Sequence, residues 1–155
     1  MRPHRLLSLC LILLAVCTTP VRLAAAESRI VKVLPHLLDL QGRHALSPSL
    51  YERDAYQAQL RKHPDQISAL RFDIHWRAVR SAGSHPVLRL ELRTATHQGK
   101  DVLVLESPLP AQGTRGWTPL NLDANVYRNA GEIQAWRATL QDGGQVLAES
   151  KSFLW

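Results

Sequence analysis

Hydrophobic and polar residues alternate with a period of two through much of the second half of the chain, as expected of β-strands with one buried face. The pattern is clearest between Leu70 and Val79. Arginines, an aspartate and a histidine occupy one face of this segment, so we predict a half-buried strand. Four large apolar residues occupy the other face: Leu70, Phe72, Ile74 and Trp76.

The same period predicts further strands towards the C-terminus. At residues 87–93, three leucines share the buried face: Leu88, Leu90 and Leu92. The run at residues 102–109 is more continuously apolar, which is typical of a strand covered on both faces. Residues 132–140 and 145–155 flank Gly143-Gly144, and paired glycines at such a junction predict a tight hairpin.

Two prolines mark predicted edge strands. Residues 28–40 begin as a strand rich in β-branched residues, and Pro35 makes it either an edge strand or a strand broken in the middle. Residues 117–122 form a short strand around Pro119. Because proline has no N–H for a ladder, we expect both strands at sheet edges that are open to a partner.

One polar segment carries the signals of a helix from about Leu50 to Lys62. Ser49 and Glu52 have the spacing of a capping box, and Pro64 ends the helix. The apolar residues form only two narrow stripes, so we expect the helix to lie on the surface. These stripes are Tyr51, Ala55 and Ala58 on one face, and Tyr56 and Leu60 on another.

This helix has two interpretations. In the favoured one it covers an open sheet edge and packs on the sheets through Tyr51 and Ala55. In the other it is a docking surface for a protein partner, because tyrosine and arginine are enriched at interface hot spots. The candidate partner-binding residues of the helix are Tyr51, Arg53, Tyr56 and Arg61.

Short strands separated by turns are typical of an antiparallel sandwich. Trp76 in its alternating strand, with the final hairpin AWRATLQDGGQVLAESKSFLW, resembles an immunoglobulin-like or fibronectin type III-like sandwich over residues 67–155. The chain also looks like small exported proteins of bacteria. Neither resemblance implies a catalytic or binding residue. We therefore expect a mainly β fold, a single antiparallel β-sandwich with one surface helix inserted at about residues 49–63.

The first residues predict export. Arg2 and Arg5 precede an apolar run, residues 6–16, that is too short to span a bilayer. Small residues follow and end in Ala24-Ala25-Ala26. This order is typical of a secretory signal peptide, residues 1–26, so we expect a periplasmic or secreted protein.

Removing the signal peptide leaves one domain, residues 27–155, with a different composition. Cys10 and Cys17 are both lost, so the mature chain has no thiol for catalysis or metal binding. A lipoprotein anchored through Cys17 is disfavoured because Val16 precedes it, where such signals carry a small residue.

The net charge also falls on export. The chain has 19 lysines and arginines against 13 acids, a net charge of +6; loss of Arg2, Arg5 and Arg22 with the signal peptide leaves +3. The remaining basic residues mostly alternate with acids, which indicates a mixed solvated surface rather than a nucleic-acid-binding stripe. No later segment is long and apolar enough to cross a membrane.

The mature sequence contains no recognisable catalytic motif. It lacks a G-x-S-x-G elbow, an H-E-x-x-H pair and a Gly-rich phosphate loop, so we expect no catalytic residue and no cofactor. Asp73 and His75 share the polar face of one strand and could form a small metal site with His44. A solvated sheet face is the favoured interpretation of these residues, so no metal site is predicted.

The tryptophans differ in their expected exposure. Trp76 and Trp136 lie on apolar strand faces, where core packing is expected. Phe153 and Trp155 are expected to end the last strand in the core. Trp117 follows a loop and begins an edge strand, so it is the tryptophan we expect to be exposed and able to stack on a sugar.

Together, these features favour a non-catalytic exported module, protein-binding or accessory, whose partner is another exported or envelope protein. Addition of a partner strand at the edges near Pro35 and Pro119 is one mode of binding. One alternative is a carbohydrate-binding protein that uses Trp117. A less favoured alternative is a small metal-binding protein around Asp73 and His75.

Overall fold

The computed structural model describes residues 27–96 and 102–155. The predicted signal peptide, residues 1–26, lies outside the described residues, as does most of the predicted turn at residues 96–101. In chain order, the elements are β1 (Arg29–Asp39), α1 (Leu50–Lys62), a 3₁₀ turn (Pro64–Gln66), β2 (Ile67–Arg77), β3 (Val87–Thr94), β4 (Leu103–Pro108), β5 (Arg115–Asp123), α2 (Ala124–Ala130), β6 (Ile133–Asp142) and β7 (Gln145–Lys151).

The strands form two antiparallel sheets, a three-stranded sheet with the order β1-β2-β5 and a four-stranded sheet with the order β4-β3-β6-β7. Side chains from both sheets meet in one hydrophobic core. The mainly β sandwich with a helix on its surface, predicted from the sequence, is therefore confirmed. The helix occupies the predicted range, Leu50–Lys62.

The alternating residues of β2 and β3 fill the centre of the core. Trp76 is 1% exposed, and its indole N–H donates to the hydroxyl of Thr118 at 2.9 Å, so its burial leaves no donor unpaired. Burying side chains of this size is the main favourable contribution to folding. The predicted core residues of the two strands are buried as expected: Leu70, Phe72, Ile74, Trp76, Leu88, Leu90 and Leu92.

Edge strands and the last hairpin also follow the sequence signals. Pro35 and Pro119 lie in β1 and β5, the two outer strands of the three-stranded sheet, and β1 continues unbroken through Pro35. Gly143 and Gly144 join β6 to β7 with φ values of 55° and 85°. Both angles are positive, as a tight hairpin turn of this twist requires.

Two predictions, one for β4 and one for the segment after β5, are wrong. β4, expected to be covered on both faces, is an outer strand of the four-stranded sheet, and Val104 is 39% exposed. The segment after β5 forms the helix α2, whereas its sequence DANVYRNAG, residues 123–131, predicts a longer polar connection. Asp123 caps this helix by accepting from the backbone N–H of Asn125 at 2.8 Å, and Gly131, at φ 74°, ends it.

The C-terminal prediction is also wrong, because the last strand leaves the sheet before its aromatic residues. β7 ends at Lys151, and Phe153 is fully exposed. A turn closed by the Trp155 N–H on the carbonyl of Ser152 (3.2 Å) bends the chain back. The Trp155 ring then lies against Arg93 and Arg137, whose guanidinium carbons are 4.2 and 4.9 Å from its centroid.

Helix α1 presents a different face to the sheets from the one predicted. Tyr51 is 84% exposed and Ala55 is also exposed, so they do not pack on the sandwich. The buried face is formed by Gln57 and Leu60, with Tyr56 half-buried beside them. The helix turns this way because the Gln57 amide hydrogen-bonds to the backbone of β1.

Candidate binding surface on the three-stranded sheet

The central position of β2 gives each of its outward side chains a neighbour on both sides. Directly opposite residues of antiparallel strands point to the same face, so the register defines rows of side chains across the sheet. Four rows of outward side chains cross the sheet: Arg29–Arg77–Arg115, Lys32–His75–Trp117, Leu34–Asp73–Pro119 and His36–Arg71–Asn121. We call these twelve residues the outer face.

Trp117 is the large aromatic residue of the outer face. It is 51% exposed, as expected for a residue that follows a loop on an edge strand. Its ring is stacked on His75, with centroids 4.8 Å apart and planes 13° from parallel. Because Trp117 stands on a paired strand and rests on another ring, it forms a fixed aromatic platform.

A shallow hollow of about 340 Å³ adjoins this platform. Arg53 reaches it from α1, and His44 reaches it from the loop that precedes the helix. The hollow thus brings together residues from three strands, a loop and a helix. Its lining residues are Leu34, His36, His44, Arg53, Asp73 and Trp117.

Asp73 is held by basic groups inside this hollow. Its carboxylate lies 3.1 Å from Arg71 Nη2 and 3.6 Å from His36 Nε2. Arg71 Nη2 also lies 3.3 Å from His44 Nδ1, and the His36 and His44 rings are 4.8 Å apart. Burial lowers the pKa of His36, and His44, Arg71 and Arg53 lower it further, whereas Asp73 acts in the opposite direction.

The arrangement does not group the residues of the metal alternative. Asp73 is engaged by Arg71 and His36, while His75 is turned against Trp117. Within residues 27–96 and 102–155, no three histidine, cysteine, aspartate or glutamate side chains are placed to hold one metal ion. The alternative built on Asp73, His75 and His44 therefore gains no support from the geometry.

The four partner-binding candidates of α1 and Trp117 do not all line one cavity. Arg53 and Trp117 line the same hollow, and Arg53 also pairs with Asp54 at 3.0 Å. Arg61 lines a cavity of about 310 Å³ between α1 and β6, and it shares a smaller one, of about 200 Å³, with Arg53. Tyr51 is exposed and lines none of these three cavities.

Tyr56 is occupied by a partner within the fold. Its hydroxyl donates to Asp39 Oδ2 at 2.7 Å. Burial opposes the charge on Asp39, but hydrogen bonds from Tyr56, Arg43 and Gln41 prevail and hold its pKa at about 2. The hydrogen bond to Asp39 correspondingly raises the pKa of Tyr56. Tyr56 therefore fixes the helix to the end of β1.

The basic residues of the outer face are a feature that sequence reasoning missed. Arg29, Arg77 and Arg115 stand side by side, and Lys32 is in the next row. Asp73 is the single carboxylate among the twelve residues. These cations come from three distant segments of the sequence, so only the pairing of the strands reveals the row.

Comparison of the chain with protein-family models, with curated proteins and with solved structures finds no match. Among the helices that the structure describes, none has the length and apolar character needed to cross a membrane.

Proposed function

We propose that the chain is an exported, non-catalytic binding module with an immunoglobulin-like sandwich, acting in the periplasm or outside the cell. The signal-peptide pattern of residues 1–26 supports export. The absence of a catalytic motif from the sequence supports a binding role. The strand orders β1-β2-β5 and β4-β3-β6-β7 support the finer fold, because they correspond to the A-B-E and C′-C-F-G sheets of a fibronectin type III-like sandwich.

The binding surface is the outer face of the three-stranded sheet rather than helix α1. Gln57 and Tyr56 are both used to attach the helix to β1. A helix fixed in this way covers the strand edge, which also limits strand addition near Pro35. Of the ligand classes considered, the outer face favours carbohydrate.

The exposed platform of Trp117 carries this conclusion. Trp117 is half-exposed, stacked on His75, and lies at the margin of a hollow that contains Asp73, His44 and Arg53. An apolar ring face beside a few hydrogen-bonding side chains suits a ligand that has both C–H faces and hydroxyls. Sugars have this combination.

Glycan-array binding and tryptophan fluorescence test the proposal. We expect the mature protein to bind a subset of envelope glycans and the Trp117→Ala variant to lose that binding. Trp155→Ala is the matched control, because Trp155 lies on the other sheet against Arg93 and Arg137. Unchanged emission and no array signal from the folded protein would overturn the proposal.

A protein partner is the second candidate, and exposed apolar residues beside α1 favour it. Leu46, Leu50 and Tyr51 are 61%, 67% and 84% exposed and lie close together in sequence at the start of the helix. Expression of the tagged protein at native level in its host would identify a stoichiometric envelope partner. Loss of that partner in Tyr51→Ala with Arg53→Ala, at unchanged stability, supports this candidate; retention of the partner contradicts it.

A further inference from the structure

A row of like charges crosses the three-stranded sheet at one end. Arg77 in β2 pairs with Arg29 in β1 on one side and with Arg115 in β5 on the other. Neighbouring strands are about 4.8 Å apart, and like charges directly opposite one another destabilise a sheet. Lys32 adds a fourth positive charge in the adjacent row, opposite His75.

These four cations have no carboxylate partner within the described part of the chain. The carboxylate of the outer face, Asp73, is engaged by Arg71 and His36 and lies two rows away from Arg77. Arg29, Lys32, Arg77 and Arg115 take part in none of the ion pairs between described residues. Three of the four, Arg29, Lys32 and Arg115, are on edge strands and exposed, and Arg77 is exposed between them.

The four-stranded sheet provides the contrast within the same molecule. On its outward side, Arg89 lies 2.5 Å from Glu106, its direct neighbour on β4. Arg137 lies 2.6 Å from Glu91, its direct neighbour on β3. Arg89 and Arg137 are thus each paired with a carboxylate on a neighbouring strand, whereas the row on the three-stranded sheet is left for a ligand.

We propose that the outer face binds an acidic polysaccharide, with its carboxylates on the arginine row and Lys32 and a sugar ring on Trp117. The inference rests on the proposed function and names the ligand class of the same site. Arginine guanidinium groups bind carboxylates through paired, charge-assisted hydrogen bonds. A uronic acid unit carries an apolar C–H ring face and a carboxylate on the same ring, which matches Trp117 one row away from Arg77 and Arg115.

Other polyanions match the face less well. Single-stranded nucleic acid is usually bound by several stacked aromatic side chains, and the outer face has Trp117 as its only large aromatic residue. An anionic membrane would require apolar side chains for insertion, and the two rows around the arginines contain none besides Trp117. An acidic peptide would bind the arginines, but it would not account for the exposed ring of Trp117 in the adjacent row.

The test measures binding of the mature protein to polygalacturonate, alginate and hyaluronate by calorimetry. Fully methyl-esterified polygalacturonate is the matched ligand, because it keeps the sugar rings and removes the charge. We expect binding to the acidic polymers, weakening with salt, and little binding to the ester. Arg77→Gln with Arg115→Gln should lower the affinity at least about tenfold, since it removes two guanidinium groups that form charge-assisted hydrogen bonds.

Lys151→Gln is the control variant, because Lys151 is an exposed cation on the four-stranded sheet. It should bind like the unmodified protein. The double arginine variant should unfold at the same or a higher temperature, since it removes like-charge repulsion; arginines that only stabilised the sheet would give a lower temperature.

Each of the other outcomes would overturn the inference and would show which part of it is wrong. If the ester and the acid bind equally through Trp117, the proposal of a carbohydrate ligand is retained and the inference that the ligand is acidic is overturned. Binding only to oligonucleotides, acidic peptides or anionic vesicles would overturn the ligand class. A folded protein that binds no polysaccharide of either kind would overturn both proposals.

Discussion

The side-chain amide of Gln57 pairs with the backbone of Leu37 much as a neighbouring strand would. The Leu37 N–H donates to Gln57 Oε1 at 2.8 Å, and Gln57 Nε2 donates back to the Leu37 carbonyl at 2.9 Å. The second amide hydrogen of Gln57 goes to the carbonyl of His44 at 2.8 Å. A helix side chain thus satisfies the backbone groups that an edge strand would otherwise leave open.

Pro35 completes this protection of the β1 edge. Alternate residues of an antiparallel edge strand direct their backbone groups away from the sheet. Leu37 does so towards Gln57, which places Pro35, two residues earlier, in the same outward orientation. The missing N–H of proline therefore removes a donor on the exposed side without weakening the pairing of β1 with β2.

Replacing Gln57 with methionine should destabilise the protein by about 3 kcal/mol, because it leaves the buried N–H and C=O of Leu37 without partners. Gln57 is 7% exposed, so water does not replace the lost bonds freely. Urea denaturation measures the free energy of unfolding. Gln59→Met is the control, since Gln59 is an exposed glutamine of the same helix and should change stability little. Equal effects of the two variants would contradict the edge-sealing role.

Removing the hydroxyl of Tyr56 should lower the free energy of unfolding by about 2 kcal/mol, which is typical of a hydrogen bond to a charged group. Tyr56→Phe keeps the ring in place and deletes only the bond to Asp39. Tyr51→Phe should leave the melting temperature unchanged, because Tyr51 is 84% exposed. If Tyr56→Phe is neutral, the helix is held by Gln57 and Leu60 without this bond.

The same bond predicts a loss of stability in acid. The pKa of Asp39 is about 2 in the folded protein, below that of an unfolded aspartate, so its ionised form stabilises the fold at higher pH. This contribution is complete above about pH 4 and is lost as the pH falls towards 2. Melting temperatures across this range should fall less steeply for Asp39→Asn than for the unmodified protein. Parallel curves would contradict the contribution of Asp39.

Strand positions could be predicted because each depends on a short local pattern. The alternation that buries Phe72 and Trp76 is visible within one segment, and Gly143-Gly144 marks the hairpin without reference to the rest of the chain. Burial on one face of a sheet imposes this period directly on the sequence. Two of the wrong predictions, those for β4 and the C-terminal tail, concern segments whose surroundings depend on which strands lie beside them.

The candidate site could be predicted only in part, because most of it depends on pairing between distant segments. Trp117 was expected to be exposed from its position after a loop. The row formed by Arg29, Arg77 and Arg115 requires the register of β1 and β5 on β2, which no local pattern specifies. The sequence shows both apolar stripes of α1, and the stripe of Tyr56 and Leu60 is the buried one. Its selection depends on Gln57, a polar residue that apolar periodicity does not count.

His36 should make the protein less stable as the pH falls below about 6.5, the pKa of an unfolded histidine. His36 is buried next to His44, Arg71 and Arg53, and this environment lowers its pKa despite Asp73. The unfolded chain therefore binds a proton more readily than the folded one, and stability falls as the pH decreases.

Replacing His36 with glutamine should flatten this part of the profile of unfolding free energy against pH. His36→Gln has no proton to take up, so the difference between folded and unfolded chains at that position disappears. His63→Gln is the control for replacing a histidine, because His63 is exposed at the end of α1 and does not line the hollow. An unaltered slope in His36→Gln would show that another group near the hollow is responsible for the pH dependence.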